Sequence, residues 1–138
     1  MVVYRLGTCL DPAADNGILP RLLTAAAVRA DNSGSHLIPG VNTRFADGVL
    51  REVGVYGIWH GKLVAGEVRT NPGDFDDERP LRDIDTGTRL GVDIHLMASV
   101  GIITEERCDT ARALCAERGL DLAVLDREYL RPQPATAR

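Results

Sequence analysis

The periodicities of this chain predict one α/β domain built on a mixed sheet. Three observations carry that reading. Apolar residues recur at helical spacing in the first third and again near residue 110. Three strand-like segments between residues 36 and 70 are separated only by short turn signals, the connection that antiparallel strands use. Two further apolar runs are set off by helical segments, the connection that parallel strands need.

Taken in order, Leu10 to Ala30 reads as a helix. Asp11-Pro12 suits an N-cap and first turn, and Ile18, Leu22, Leu23, Ala26 and Ala27 form the expected inward stripe. Asp31 to Ser35 is a polar loop. His36 to Phe45 is a strand interrupted by Pro39-Gly40, Asp47-Gly48 a hairpin turn, and Val49 to Trp59 a second strand. His60-Gly61 turns the chain into a third strand, Lys62 to Thr70, which Asn71-Pro72-Gly73-Asp74 breaks. Asp76 to Leu90 reads as a helix containing Pro80 and Gly87, and Val92 to Val100 as a compact apolar strand. Thr104 caps the clearest helix, whose stripe of Ala111, Leu114 and Cys115 ends at Gly119. Asp121 to Leu125 is a short last strand. Residues 1–130 form the domain, and 131–138, with two prolines, a flexible tail.

The 138 residues suffice for a single core, and 44% hydrophobic with 26% charged residues suits a soluble globular chain. No apolar run approaches the roughly 20 residues that cross a bilayer, and the first residues lack a signal-peptide core. The expectation is a cytoplasmic protein without a membrane partner. Its oligomeric state is open. Cys9, Cys108 and Cys115 contain no CxxC pair, which argues against zinc and against a disulfide framework. Cys108 and Cys115 lie about 10 Å apart along one helix, too far to bridge. His36, His60 and His95 show no metal-ligand spacing, and His95, within an apolar run, reads as a packed side chain. The net charge of −4 excludes an independent binder of nucleic acid held by overall basicity. It allows a nuclease whose positive field is local and supplemented by divalent metal. Lys62 is the lone lysine; every other cation is an arginine.

The densest chemistry lies between Arg51 and Phe75. Glu52-Val53-Gly54-Val55-Tyr56-Gly57 precedes a turn, and Gly66-Glu67-Val68-Arg69 follows it. Glu67 and Arg69, two apart on a strand, share a face, as do positions 52, 54 and 56 with Val53 and Val55 opposite. With the element order, these segments resemble the PD-(D/E)XK nuclease superfamily, the restriction-endonuclease-like fold with an αβββαβ core. The resemblance runs from about Leu10 to Leu125. It implies Mg²⁺-dependent hydrolysis of a DNA phosphodiester, with an aspartate and a glutamate holding the metal and a lysine stabilising developing charge. Carried over, Glu67 matches the second metal ligand and Glu52 the acid that often precedes the aspartate. The resemblance thus makes Glu67, Arg69 and Glu52 the catalytic set and Glu67 and Glu52 the metal ligands.

Two positions depart from the pattern. Gly54 stands where the metal-binding aspartate belongs and offers no ligand atom. Arg69 replaces the lysine: it keeps the charge and can grip phosphate, but cannot act as a base. Glu52, Asp15 and Asp74 are the acids within reach of the missing role, while Lys62 lies near the turn and faces away. Arg44 and Arg51 flank the first hairpin as contacts for nucleic-acid phosphates. The expectation is a weakened or inactive nuclease. The alternatives are a non-catalytic descendant that binds nucleic acid or a protein partner, alone or within a larger complex, and an unrelated small α/β binding domain. Glu67 and Arg69 also admit a plainer reading, a solvated pair on an exposed strand face. Gly54 likewise admits a plainer reading, a bulge or close approach of backbone.

Overall fold

The computed structural model describes residues 18–75 and 78–130. The elements are α1 (Ile18–Asp31), β1 (His36–Arg44), β2 (Leu50–Trp59), β3 (Lys62–Arg69), a 3₁₀ turn (Pro72–Phe75), α2 (Arg79–Leu90), β4 (Ile94–Ser99), α3 (Glu105–Glu117), β5 (Asp121–Leu125) and α4 (Arg127–Leu130). The strands form one five-stranded sheet in the order β1-β2-β3-β4-β5. β1–β2 and β2–β3 pair antiparallel, whereas β3–β4 and β4–β5 pair parallel. The mixed α/β sheet expected from the connections is therefore present, with β1 and β5 at its edges.

Local chemistry explains most boundaries. His60 and Gly61 both have positive φ, 51° and 78°, as a tight hairpin between right-twisted strands requires. Thr104 caps α3 by accepting a hydrogen bond from the Arg107 backbone N–H at 3.4 Å, and Glu105 and Glu106 sit in its first turn. Gly91, at φ 72°, closes α2. β1 runs through Pro39-Gly40 instead of being interrupted there. As an edge strand it tolerates the missing N–H, and Gly40 drops out of the register between Pro39↔Val55 and Val41↔Val53. The break after β3 is a 3₁₀ turn, α2 begins at Arg79, β4 begins at Ile94, and α4 is an added short helix. The expected starts of the first two helices, at residues 10–17 and 76–77, lie outside the described residues, as does the tail.

Helices cover both faces of the sheet. Val28 of α1 packs with Leu37, Val55, Val64, Val68, Leu96 and Leu125, joined at the rim by Tyr129 and Leu130 of α4. On the other face Ile84 of α2 and Cys115 of α3 pack with Val53 and Ala65, and Met97 with Phe75, Cys108 and Ala111. Cys108 and Cys115 are free and buried, and burial pushes both thiols up, Cys115 to about 11. His95 is buried as expected, and burial pushes it down to about 4. Among the described residues no helix is long and apolar enough to cross a membrane.

The inward stripe expected for α1 is corrected. Ile18, Leu22, Leu23 and Ala26 face out, and the helix buries Pro20, Arg21, Thr24 and Val28. The helix is phased by Val28, which locks into the sheet, and by Arg21, which has an acidic partner on β2.

Candidate functional site

The site forms where β2 and β3 part. Their ladder begins at the hairpin with Trp59↔Lys62 and ends at Val55↔Gly66. Beyond that point the Gly54 N–H is 3.3 Å from Glu67 Oε1, so it donates to a side chain rather than a ladder carbonyl. Side-chain alternation breaks at the same place. Val53 packs toward α2 with Ala65 and Ile84, and Val55 packs toward α1 with Val28 and Val64. Residues two apart on a regular strand would share a face. The shared face expected for positions 52, 54 and 56 is thereby overturned.

Glu67 is buried, 6% exposed, and so is not part of a solvated pair. Its Oε2 lies 3.6 Å from Arg69 Nη2. The same Nη2 donates to Asp83 Oδ2 of α2 at 3.3 Å. One guanidinium thus bridges two acids. Burial pushes Glu67 up to about 7, and the Asp83 charge adds to this. Arg69, the Gly54 N–H and Arg21 pull the other way. Burial likewise raises Asp83, against the pull of Arg69. The balance says that desolvation outweighs the ion pairs, as it does when charges are taken far from water.

The surroundings of position 54 explain why glycine stands there. A Cβ there would stand 3.1 Å from both Gly66 O and Val68 N and 3.2 Å from Glu67 Oε2. Two of those neighbours are backbone, which yields poorly. Glycine permits this close approach, and the Glu67 carboxylate lies over the spot where a side chain at 54 would begin.

Glu52 takes a different direction. Its Oε1 accepts from Arg21 Nη1 of α1 at 2.7 Å, and no hydrogen bond or ion pair joins it to Glu67 or Arg69. Arg21 is buried, 8% exposed, and its charge reaches Glu67. The structure therefore brings Gly54, Glu67 and Arg69 together, and connects Glu52 to them through Arg21. Asp74 is exposed and lies 3.8 Å from Arg79, away from Glu67, and Lys62 lies 3.7 Å from Asp121 at the hairpin end. Asp15 lies outside the described residues.

Asp83 and Arg21 are the site residues that the sequence reading missed. Both had a signal. Asp83 shares the i, i+3, i+4, i+7 stripe of Pro80, Ile84 and Gly87, all buried in α2. Arg21 shares that of Thr24, Ala25 and Val28 in α1. A charge in an inward stripe marks a buried partner. Finding it required phasing each helix by its smaller residues.

Arg44 and Arg51 are exposed at the hairpin end of the β1–β2 ribbon, in the register Arg44↔Leu50 and Thr43↔Arg51. Arg51 also lines a groove of about 450 Å³ with Leu81, Arg82 and Arg89 of α2, beside Glu78 and Asp85. Arg89 is held by Asp47 at 2.8 Å, and Asp85 by Arg118 at 2.7 Å. Arg44, Arg51 and Arg82 make no ion pair among the described residues.

A divalent cation could use Glu67 and Asp83 only if both were ionised and Arg69 moved aside. No group of three or more acidic, histidine or cysteine side chains suited to a metal occurs among the described residues. No protein-family model matches this chain, and no curated protein matches it.

Proposed function

We propose that this chain is a nuclease-like domain whose hydrolytic pocket is closed by its own charges, leaving it weakened or inactive as a DNA phosphodiesterase and retaining a backbone-binding role. The observation that carries this reading is the single guanidinium of Arg69 set between Glu67 and Asp83, at 3.6 and 3.3 Å. In the resembled nucleases that space serves a metal ion. Here a tethered cation takes the metal's electrostatic part, and it cannot polarise a phosphate or ionise water as a bound metal does. The element order and the convergence of positions 54, 67 and 69 support descent from that fold.

Binding rests on Arg51 and Arg82, which line one groove, and on Arg44 at the neighbouring hairpin, three guanidiniums outside any ion pair among the described residues. Such contacts position a duplex without reading its sequence. With an overall charge of −4 the attraction is local, so affinity should be modest and steeply salt-dependent.

A second reading, a residual nuclease, is favoured by one observation: Asp83 supplies from α2 a second carboxylate that β2 lacks. In that case Mg²⁺, bound by Glu67 and Asp83, would displace Arg69 toward the scissile phosphate.

One set of assays separates the readings. Labelled single- and double-stranded DNA is incubated with the protein and Mg²⁺ or Mn²⁺, and binding is measured across a salt series. The closed-pocket reading expects no cleavage, and binding whose logarithmic salt slope falls by about one for each of Arg51→Ala and Arg82→Ala. Cleavage abolished by Asp83→Asn establishes the second reading. Absence of both cleavage and binding defeats both.

A further inference from the structure

The groove beside Arg51 contains one guanidinium that phosphate binding does not use. Arg89 is clamped by the β1–β2 turn. Its Cζ sits 3.9 Å from the centre of the Phe45 ring. Its Nη2 donates to Asp47 Oδ2 at 2.8 Å, and the Val49 backbone N–H donates to the same carboxylate at 3.0 Å. The charge of Arg89 is therefore answered within the protein, and the guanidinium is held as a fixed plane. Phe45 takes one side of it. The side chain is nonetheless 40% exposed and lines the groove of about 450 Å³. What it offers a ligand there is a flat, weakly hydrated surface rather than a charge to neutralise.

The remaining charges of the groove decide what else is needed. Among the described residues, Arg51 and Arg82 are outside any ion pair, and so is the acid Glu78, while Asp85 is taken by Arg118 at 2.7 Å. Two cations against one acid leave a single net positive charge. Phosphate contacts alone would hold a strand weakly, and would serve duplex and single strand alike. The Arg89 surface discriminates between them. In a duplex the base faces are already stacked on one another and only their edges are offered. An unpaired base presents its face, and guanidinium planes are a surface on which such bases stack. Leu81, exposed on the same helix, adds apolar area to the groove. An acidic peptide would also suit Arg51 and Arg82, but it brings no ring for Arg89 and meets Glu78 as a like charge.

We propose that this groove takes one unpaired nucleotide of a single-stranded nucleic acid, its base laid on the Arg89 guanidinium and its phosphates on Arg51 and Arg82. The inference rests on the phosphate-binding reading above and narrows it to strands with exposed bases. Phe45 and Asp47 act as positioning residues that keep the guanidinium flat against the ligand.

The test is fluorescence anisotropy with three labelled probes of equal length: oligothymidylate, an abasic deoxyribose-phosphate strand and a DNA duplex. The wild type should bind oligothymidylate about tenfold more tightly than the abasic strand, the gain expected for one stacked base. It should also prefer oligothymidylate to the duplex. Arg89→Lys, which keeps a cation beside Asp47 but has no planar face, should bring the ratio of oligothymidylate to abasic affinity close to one. Equal wild-type affinity for oligothymidylate and the abasic strand overturns the proposal without recourse to any variant. So does a ratio that survives Arg89→Lys, or polyglutamate competing as well as oligothymidylate. Where the abasic strand and the duplex still bind with a salt slope that falls in Arg51→Ala and Arg82→Ala, the stacking inference fails alone and the phosphate-binding reading stands. Where none of the three probes binds, both fail.

Discussion

The two ends of the β2–β3 ribbon use the same kinds of residue to opposite effect. At the hairpin end every residue is paired, from Trp59↔Lys62 to Val55↔Gly66, and charges lie in water: Lys62 is 3.7 Å from an exposed Asp121. At the other end pairing stops, face alternation breaks at Gly54, and Glu67, Arg69 and Asp83 meet in a largely buried cluster. A charged side chain on a regular strand points to solvent and costs little. Where the strands separate, side chains from two strands and a helix converge, and the same charges become interdependent. Irregular backbone creates the pocket, and the pocket determines which charges matter.

Substitutions should therefore bite in proportion to distance from the hairpin. Arg69→Met leaves Glu67 and Asp83 buried and facing each other, and should cost about 4 kcal/mol in urea unfolding at pH 8. At pH 5, where the acids can take up protons, the loss should be clearly smaller. An equal loss at both pH values would mean that Arg69 contributes packing rather than charge.

Glu67→Gln should act through pH. The folded-state pKa of Glu67, about 7, lies above its ordinary 4.5, so the folded protein holds a proton that the unfolded chain releases. The stability this contributes is fully present below pH 4.5 and is lost as pH rises through 7. His95 opposes it: its pKa is depressed from 6.5 to about 4, so its contribution is present above pH 6.5 and lost as pH falls toward 4. The wild-type profile between pH 4.5 and 7 therefore mixes two slopes of opposite sign, and the difference between wild type and variant isolates Glu67. That difference should swing in favour of Glu67→Gln by about 3 kcal/mol from pH 4.5 to 8. A pH-independent difference would show that Glu67 titrates in the ordinary carboxylate range.

Glu52→Gln weakens the partner of buried Arg21 and should cost about 2 kcal/mol, although Glu52 itself is exposed. Lys62→Met, at the hairpin end, should stay within about 0.5 kcal/mol of wild type. If Glu52→Gln and Lys62→Met fall at the same small value in a chemical-denaturation series, the contrast between the two ends fails for α1.

Much of the architecture was legible. Turn residues at Asp47-Gly48 and His60-Gly61, together with the Thr104 cap, located the strands and α3 within a few residues, because short-range sterics and hydrogen bonds fix those features. The side on which α1 docks was not legible, since four exposed leucine-type residues outweigh Val28 in any reading of periodicity. Of the site, Glu67 and Arg69 were visible as types, and Gly54 as a departure. Their burial and the inclusion of Asp83 depend on long-range packing between β3 and α2, which local pattern does not encode. The face of Glu52 was misjudged for the same reason: the break at Gly54 arises from the separation of strands and from a side-chain acceptor thirteen residues away.

Calorimetric titration with Mn²⁺ tests the closed pocket most directly, on the wild type and on the double variant Gly54→Asp, Arg69→Lys. The introduced aspartate must push the Glu67 carboxylate off position 54, and lysine withdraws the bridging fork. The wild type should give no binding heat and the double variant a saturable one. A saturable heat in the wild type, lost in both Glu67→Gln and Asp83→Asn, would contradict the account and show that Arg69 yields its place to metal.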